Sequence, residues 1–144
     1  MLMVAIPLIG TVTSLPGLIL PSIIMGLVLG AMEMLFVYQD EMSMGILAIT
    51  HALHTFPFTI LFVFLNMHVE IILKFLPMLP STPIVILGIR IAVGIIALIK
   101  IAGAAALVKG SMIGEKWIHS IIIAALIVAA PYVWTYVGPM VGLG

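Results

Sequence analysis

The sequence predicts an all-α, polytopic membrane protein with broken or hairpin helices. Three observations lead there. Of 144 residues, 65% are apolar and 7% charged, against about 45–50% and about 25% in ordinary soluble domains. The five Lys+Arg and five Asp+Glu cannot cover the surface of a water-soluble globule of this length. Apolar runs long enough to cross a hydrocarbon core of about 30 Å recur along the chain, punctuated by proline and short polar stretches. The expectation is one membrane domain over residues 1–144, with about four long spans and two short arms.

Taken in order, residues 1–9 form a short apolar arm, and "GTVTSLPG" at 10–17 is a polar break containing glycine and proline. The N-terminal run has no basic segment ahead of it and carries Pro7, so it does not read as a cleaved signal peptide. Residues 17–38 are long enough to span at about 1.5 Å per residue. "QDEMS" at 39–43 is an interfacial loop, with Ser43 the candidate cap of the next helix. The run from 44 to 76 would reach about 50 Å as one straight helix, which exceeds the hydrocarbon core. Pro57 supplies an interruption, because proline lacks an N–H and clashes with the carbonyl four residues back. The run therefore divides into a short arm, 44–56, and a long arm, 58–76. "PMLPSTP" at 77–83 is a turn, 84–108 a span, "KGSMIGEKW" at 109–117 a loop, and 118–137 a final span kinked at Pro131. The layout short–break–long occurs twice, a weak sign of internal repetition.

Charge and composition exclude several functions. Zero net charge and no basic cluster leave nothing to hold nucleic acid. Cysteine is absent, which removes disulfides, thiolate metal sites and cysteine nucleophiles. No phosphate-binding glycine loop, spaced carboxylate pair or nucleophile elbow is present, so the chain is not expected to be an enzyme or to carry a cofactor. Lys109 and Lys116 favour a cytoplasmic place for the 109–117 loop, while the acidic 39–43 loop leaves the orientation open.

The polar residues within the apolar runs are the candidates for function. His51 and His54 are three apart, on one helix face, with Thr55 and Thr59 beside them. Broken backbone at membrane depth is tolerated only inside protein or beside a cavity. These four residues therefore make a polar pocket at a hairpin tip, or else they bond neighbouring helices as packing glue. A metal site completed by His68, Glu70 or His119 is the weaker alternative, since nothing in the spacing brings them together. Arg90 and Lys100 fall inside a span, and an unpaired cation there costs about 2.5–3.5 kcal/mol. Glu70 is the expected partner of Arg90, with an ordinary Glu70–Lys74 helix pair as the alternative. Glu33 snorkels to the interface or pairs with a cation. Gly26 and Gly30, four apart, allow close helix approach, as does the slim run 103–106. Trp117, Trp134, Tyr132 and Tyr136 bracket the last span as an aromatic belt.

Residues 15–105 resemble the membrane gate-domain proteins known as nucleoside-recognition proteins, particularly archaeal ones. The shared features are an acidic turn opening a short helix (Asp40, Glu41), a Thr55-Phe56-Pro57 break, a long arm ending at Pro77, and Ile89-Arg90 early in the next span. The resemblance implies helical hairpins lining a solute cavity and the pairing of two such domains. The histidine pair beside the break departs from the small polar residues expected there.

The function expected is that of a cell-membrane, multi-pass transport subunit forming a gate or cavity for a small polar solute. Its contacts are His51, His54, Thr55, Thr59 and Arg90, and a second copy or partner membrane subunit completes it in the lipid bilayer. The competing classes are a non-transporting integral subunit of a larger membrane complex, and a membrane metal or electron-transfer protein.

Overall fold

The structure, a computed structural model, describes residues 15–40, 46–109 and 117–143. The expectations for the arm 1–9, the break as far as residue 14, Ser43 and the 110–116 loop lie outside the described residues. Within them the chain is all-helical and without strands. Its helices are α1 (Leu15–Asp40), α2 (Ile46–Met67), α3 (Val69–Lys74), α4 (Pro83–Lys109) and α5 (Trp117–Met140). Three segments are long and apolar enough to cross a membrane: Ile19–Phe36, Pro83–Gly103 and Trp117–Met140. The apolar part of α2 among the described residues, His54–Met67, is shorter. By the length and composition of its helices the chain is a multi-pass membrane protein.

Contacts between side chains fix the helix directions. Thr59 meets Glu33 and Met67 meets Ser22, so α1 and α2 run antiparallel. Asn66 meets Arg90 and Phe58 meets Lys100, so α2 and α4 do too. Arg90 with Tyr132, and Gly94 against Val128, set α4 against α5 in the same sense. Among the described residues α1 and α4 do not touch, and α2 and α5 form the central pair of the bundle. The C-terminal ends of α1 and α4 therefore share one end of the bundle with the N-terminal ends of α2 and α5. The turn at 75–82 lies at the other end.

The core between these helices is built from Met25, Leu29, Phe62, Val63, Ala97, Ile123, Ile127 and Trp134. Outward faces carry large apolar side chains such as Leu35, Ile95, Ile99 and Ile121, as lipid-facing helices do. The α1–α2 contact is the most extensive. A Cβ at Gly26 would lie 2.6 Å from Ile60 Cα, and one at Gly30 would lie 2.8 Å from the Phe56 ring. The two glycines thus let the helices touch backbone to side chain, as their spacing predicts.

The break in the 44–76 run is real but lies elsewhere than expected. The helix α2 continues through Pro57, so the arms 44–56 and 58–76 do not exist as separate helices. One lost hydrogen bond and a local ring clash cost about 3 kcal/mol. Opening the helix in an apolar medium would expose several backbone groups, each costing several kcal/mol. Packing also holds the segment in helix against α1, since Phe56 and Ile60 flank the proline and rest on Gly30 and Gly26. The chain leaves helical geometry at His68, whose φ is −113° and ψ 21°, and restarts as α3.

Candidate functional site

Most of the buried polar side chains fall into two groups along α2, with Ser22 on α1 and Ser120 on α5 outside them. The first joins α1 to α2. Glu33 is 2% exposed, and its carboxyl oxygen lies 3.1 Å from the Thr59 hydroxyl. Thr59, also 2% exposed, lies 2.9 Å from the Thr55 carbonyl one turn back. The Thr55 hydroxyl also hydrogen-bonds the Glu33 carboxyl. Threonine supports this locally, because its hydroxyl back-bonds to the i−4 carbonyl without leaving the helix. Thr55 and Thr59 are four apart and so present one face to α1.

The second group gathers at the α2–α3 break. Where a helix stops, carbonyls lose their intrahelical donors and need others. The Phe64 carbonyl takes the His68 backbone N–H at 3.1 Å. It also takes His68 Nδ1 at 2.9 Å, and since a carbonyl only accepts, Nδ1 carries the proton. The Asn66 carbonyl takes Arg90 Nε at 3.3 Å, while Asn66 Nδ2 donates to the Arg90 carbonyl at 3.3 Å. Arg90 NH1 donates to the Tyr132 hydroxyl at 3.0 Å, with the guanidinium carbon 5.1 Å from the ring centre. Arg90 is 4% exposed and Asn66 fully buried.

Two features of this second group remain uncompensated. No carboxylate among the described residues pairs with Arg90. Asn66 Oδ1 is buried without a hydrogen-bond partner among them. The expected pairs with Glu70 do not form: Arg90 turns to Asn66 and Tyr132, and Lys74 is exposed. Distance along the helices explains this, because capping the freed carbonyl draws Arg90 to the break itself rather than to α3.

The candidate residues therefore do not form one pocket. The His51 side chain lies outside the described residues. His54 is exposed on α2, on a different face from Thr55 and Thr59, which are turned onto Glu33. Thr59 and Asn66 are seven residues apart, or about 10 Å along the helix, so Arg90 belongs to a separate site. His68 stacks on Phe64 at one end of the bundle and His119 on Phe36 at the other, with ring centres 4.5 and 4.4 Å apart. Asn66 and Tyr132 escaped the sequence reading. Asn66 is the chain's only asparagine and a poor helix former set in an apolar run, which is a usable signal. Tyr132 belongs by sequence to the interfacial belt, and its bond to Arg90 has no sequence signature. Comparison with protein-family models, curated proteins and solved structures finds no match to the chain.

Proposed function

We propose that the chain is a cell-membrane transport subunit that takes a small polar solute at the α2–α3 break, with Arg90 and Asn66 as ligands and α2 as a fourth crossing. The observation that carries this reading is an arginine enclosed by protein with no carboxylate partner among the described residues. A guanidinium has five N–H donors; one from Nε and one from NH1 are used, which leaves three. The unpaired Asn66 Oδ1 supplies an acceptor on the residue whose carbonyl takes Arg90 Nε. Buried polar groups otherwise carry partners, and ionisable ones inside a membrane mark solute or ion pathways. A solute with an acceptor group and a donor group complements both. Nucleosides enter as one candidate class, because Ile89-Arg90 forms part of the resemblance. The Thr55-Phe56-Pro57 part of that resemblance lies within continuous helix.

Reconstitution of the full chain in liposomes tests this, with uptake of labelled nucleosides, amino acids and small carboxylates as probes. Uptake of one class by the wild type is expected, reduced about 10-fold or more by Arg90→Ala, as befits the loss of a charge-assisted bond of about 1.5–3 kcal/mol. Absence of uptake for every class sinks the reading. A second reading, that of a non-transporting subunit of a larger complex, is favoured by Lys100. This exposed cation on the α4 span rests its ammonium 4.5 Å from the Phe58 ring. A carboxylate on a partner helix would neutralise it. Purification from native membranes with a stoichiometric partner, lost on Lys100→Leu, supports that reading instead.

A further inference from the structure

Glu33 lies apart from the proposed solute site, two turns along α2 from it, and its surroundings have a chemistry of their own. The Thr59 hydroxyl has one hydrogen but faces two acceptors, the Thr55 carbonyl at 2.9 Å and the Glu33 carboxyl at 3.1 Å. It cannot donate fully to both. Two proton arrangements fit the same heavy atoms. In one, Glu33 is ionised and receives the Thr59 hydrogen. In the other, Thr59 donates to the Thr55 carbonyl, and a protonated Glu33 donates its own O–H to the Thr59 oxygen.

We propose that Glu33, Thr59 and Thr55 form a proton-binding site, in which rotation of one hydroxyl satisfies the carboxyl in both of its protonation states. On release the Glu33 O–H bond breaks, the proton passes to water as hydronium, and the carboxylate keeps the electron pair. The Thr59 hydrogen then swings from the Thr55 carbonyl to the carboxylate. Uptake reverses these steps. The oxygens stand at hydrogen-bond separations of 2.9 and 3.1 Å, which suit a shared proton. Burial ensures that the proton matters, because each state must find its partners inside the protein.

The titratable and charged groups around this end of the bundle come from three other helices. On α2, His54 is exposed one residue before Thr55. On α5, His119 is half-buried and stacked on Phe36, one turn beyond Glu33. On α4, which does not touch α1, Lys100 sits over Phe58, next to Thr59. Tyr38 on α1 itself is exposed. Glu33 is fully enclosed, whereas Glu70 on α3 is half-buried.

Infrared difference spectroscopy of the full chain in lipid nanodiscs, stepped from acid to alkaline pH, reads the site directly. The wild type should lose a carboxylic C=O band and gain a carboxylate band; Glu33→Gln should abolish that pair, with helical circular dichroism retained. Thr59→Val should shift the band and its pH midpoint, and Thr59→Ser, which keeps the hydroxyl, should restore both. If Glu33→Gln does not fold, the Thr59 variants decide. Titrating bands that are unchanged in Glu33→Gln, or indifferent to Thr59→Val, overturn the proposal. So does a carboxylate band that responds to sodium at fixed pH and not to pH. The outcome is independent of any solute, so it stands or falls apart from the transport reading.

Discussion

Arg90 and Asn66 separate a structural role from a ligand-binding one. Tyr132→Phe removes one hydrogen bond to Arg90 and should lower stability by about 1–2 kcal/mol, read from the unfolding midpoint in detergent. Arg90→Lys keeps the charge but loses the planar fork that reaches the Asn66 carbonyl and Tyr132 together. It should therefore fail to restore uptake. Asn66→Asp is the sharper substitution, because it sets a carboxylate beside the uncompensated guanidinium. Stability should hold or rise while uptake falls, since the internal counter-ion competes with the solute; unchanged uptake would remove Asn66 from the site. Much of this chemistry was legible in part. The four-residue spacing of Thr55 and Thr59 announces a shared inward face. That they turn to Glu33, and His54 to the surface, depends on how α1 is rotated against α2, and no local pattern encodes that rotation.

At the scale of elements, helix extents were readable because apolar runs of spanning length leave the backbone no other way to bond itself. The end of the 44–76 run, at the 77–83 turn, likewise follows from residues that solvate the chain, whereas α1 continues through Gln39 and Asp40, two residues into the expected 39–43 loop. The break lies at His68 rather than at Pro57 for a physical reason. In an apolar surround one missing bond is tolerated, whereas a break requires donors from elsewhere, and Arg90 supplies one to the Asn66 carbonyl. The glycines give a direct check. Gly26→Ala forces a methyl onto Ile60 Cα and should destabilise the chain by about 1–3 kcal/mol, as overpacking does. Gly103→Ala meets open space and should be neutral or gain up to about 1 kcal/mol from helix propensity. Thermal unfolding of both variants in the same detergent compares them. Equal midpoints would mean that α1 and α2 are not in contact at Gly26.

At the scale of the molecule, the alternating helix directions fix a topology that the sequence left open. The C-terminal ends of α1 and α4 share one end, and the 75–82 turn lies at the other. With no native cysteine, each introduced thiol is unique. Lys109→Cys and Met78→Cys, the latter at a position 95% exposed, should label with impermeant maleimide from opposite sides of sealed membranes. Labelling of both from one side would break the bundle order. Lys109 and Lys116 predict that their end faces the cytoplasm. The antiparallel bundle also dictates how the chain can be assembled as it is made. Synthesis proceeds from the N-terminus, so Asn66 has emerged from the ribosome well before Arg90, and Tyr132 follows 42 residues after it. The nascent guanidinium therefore enters the bilayer with a waiting carbonyl already in place, and the last helix closes over a cation that is half-housed before its final partner exists.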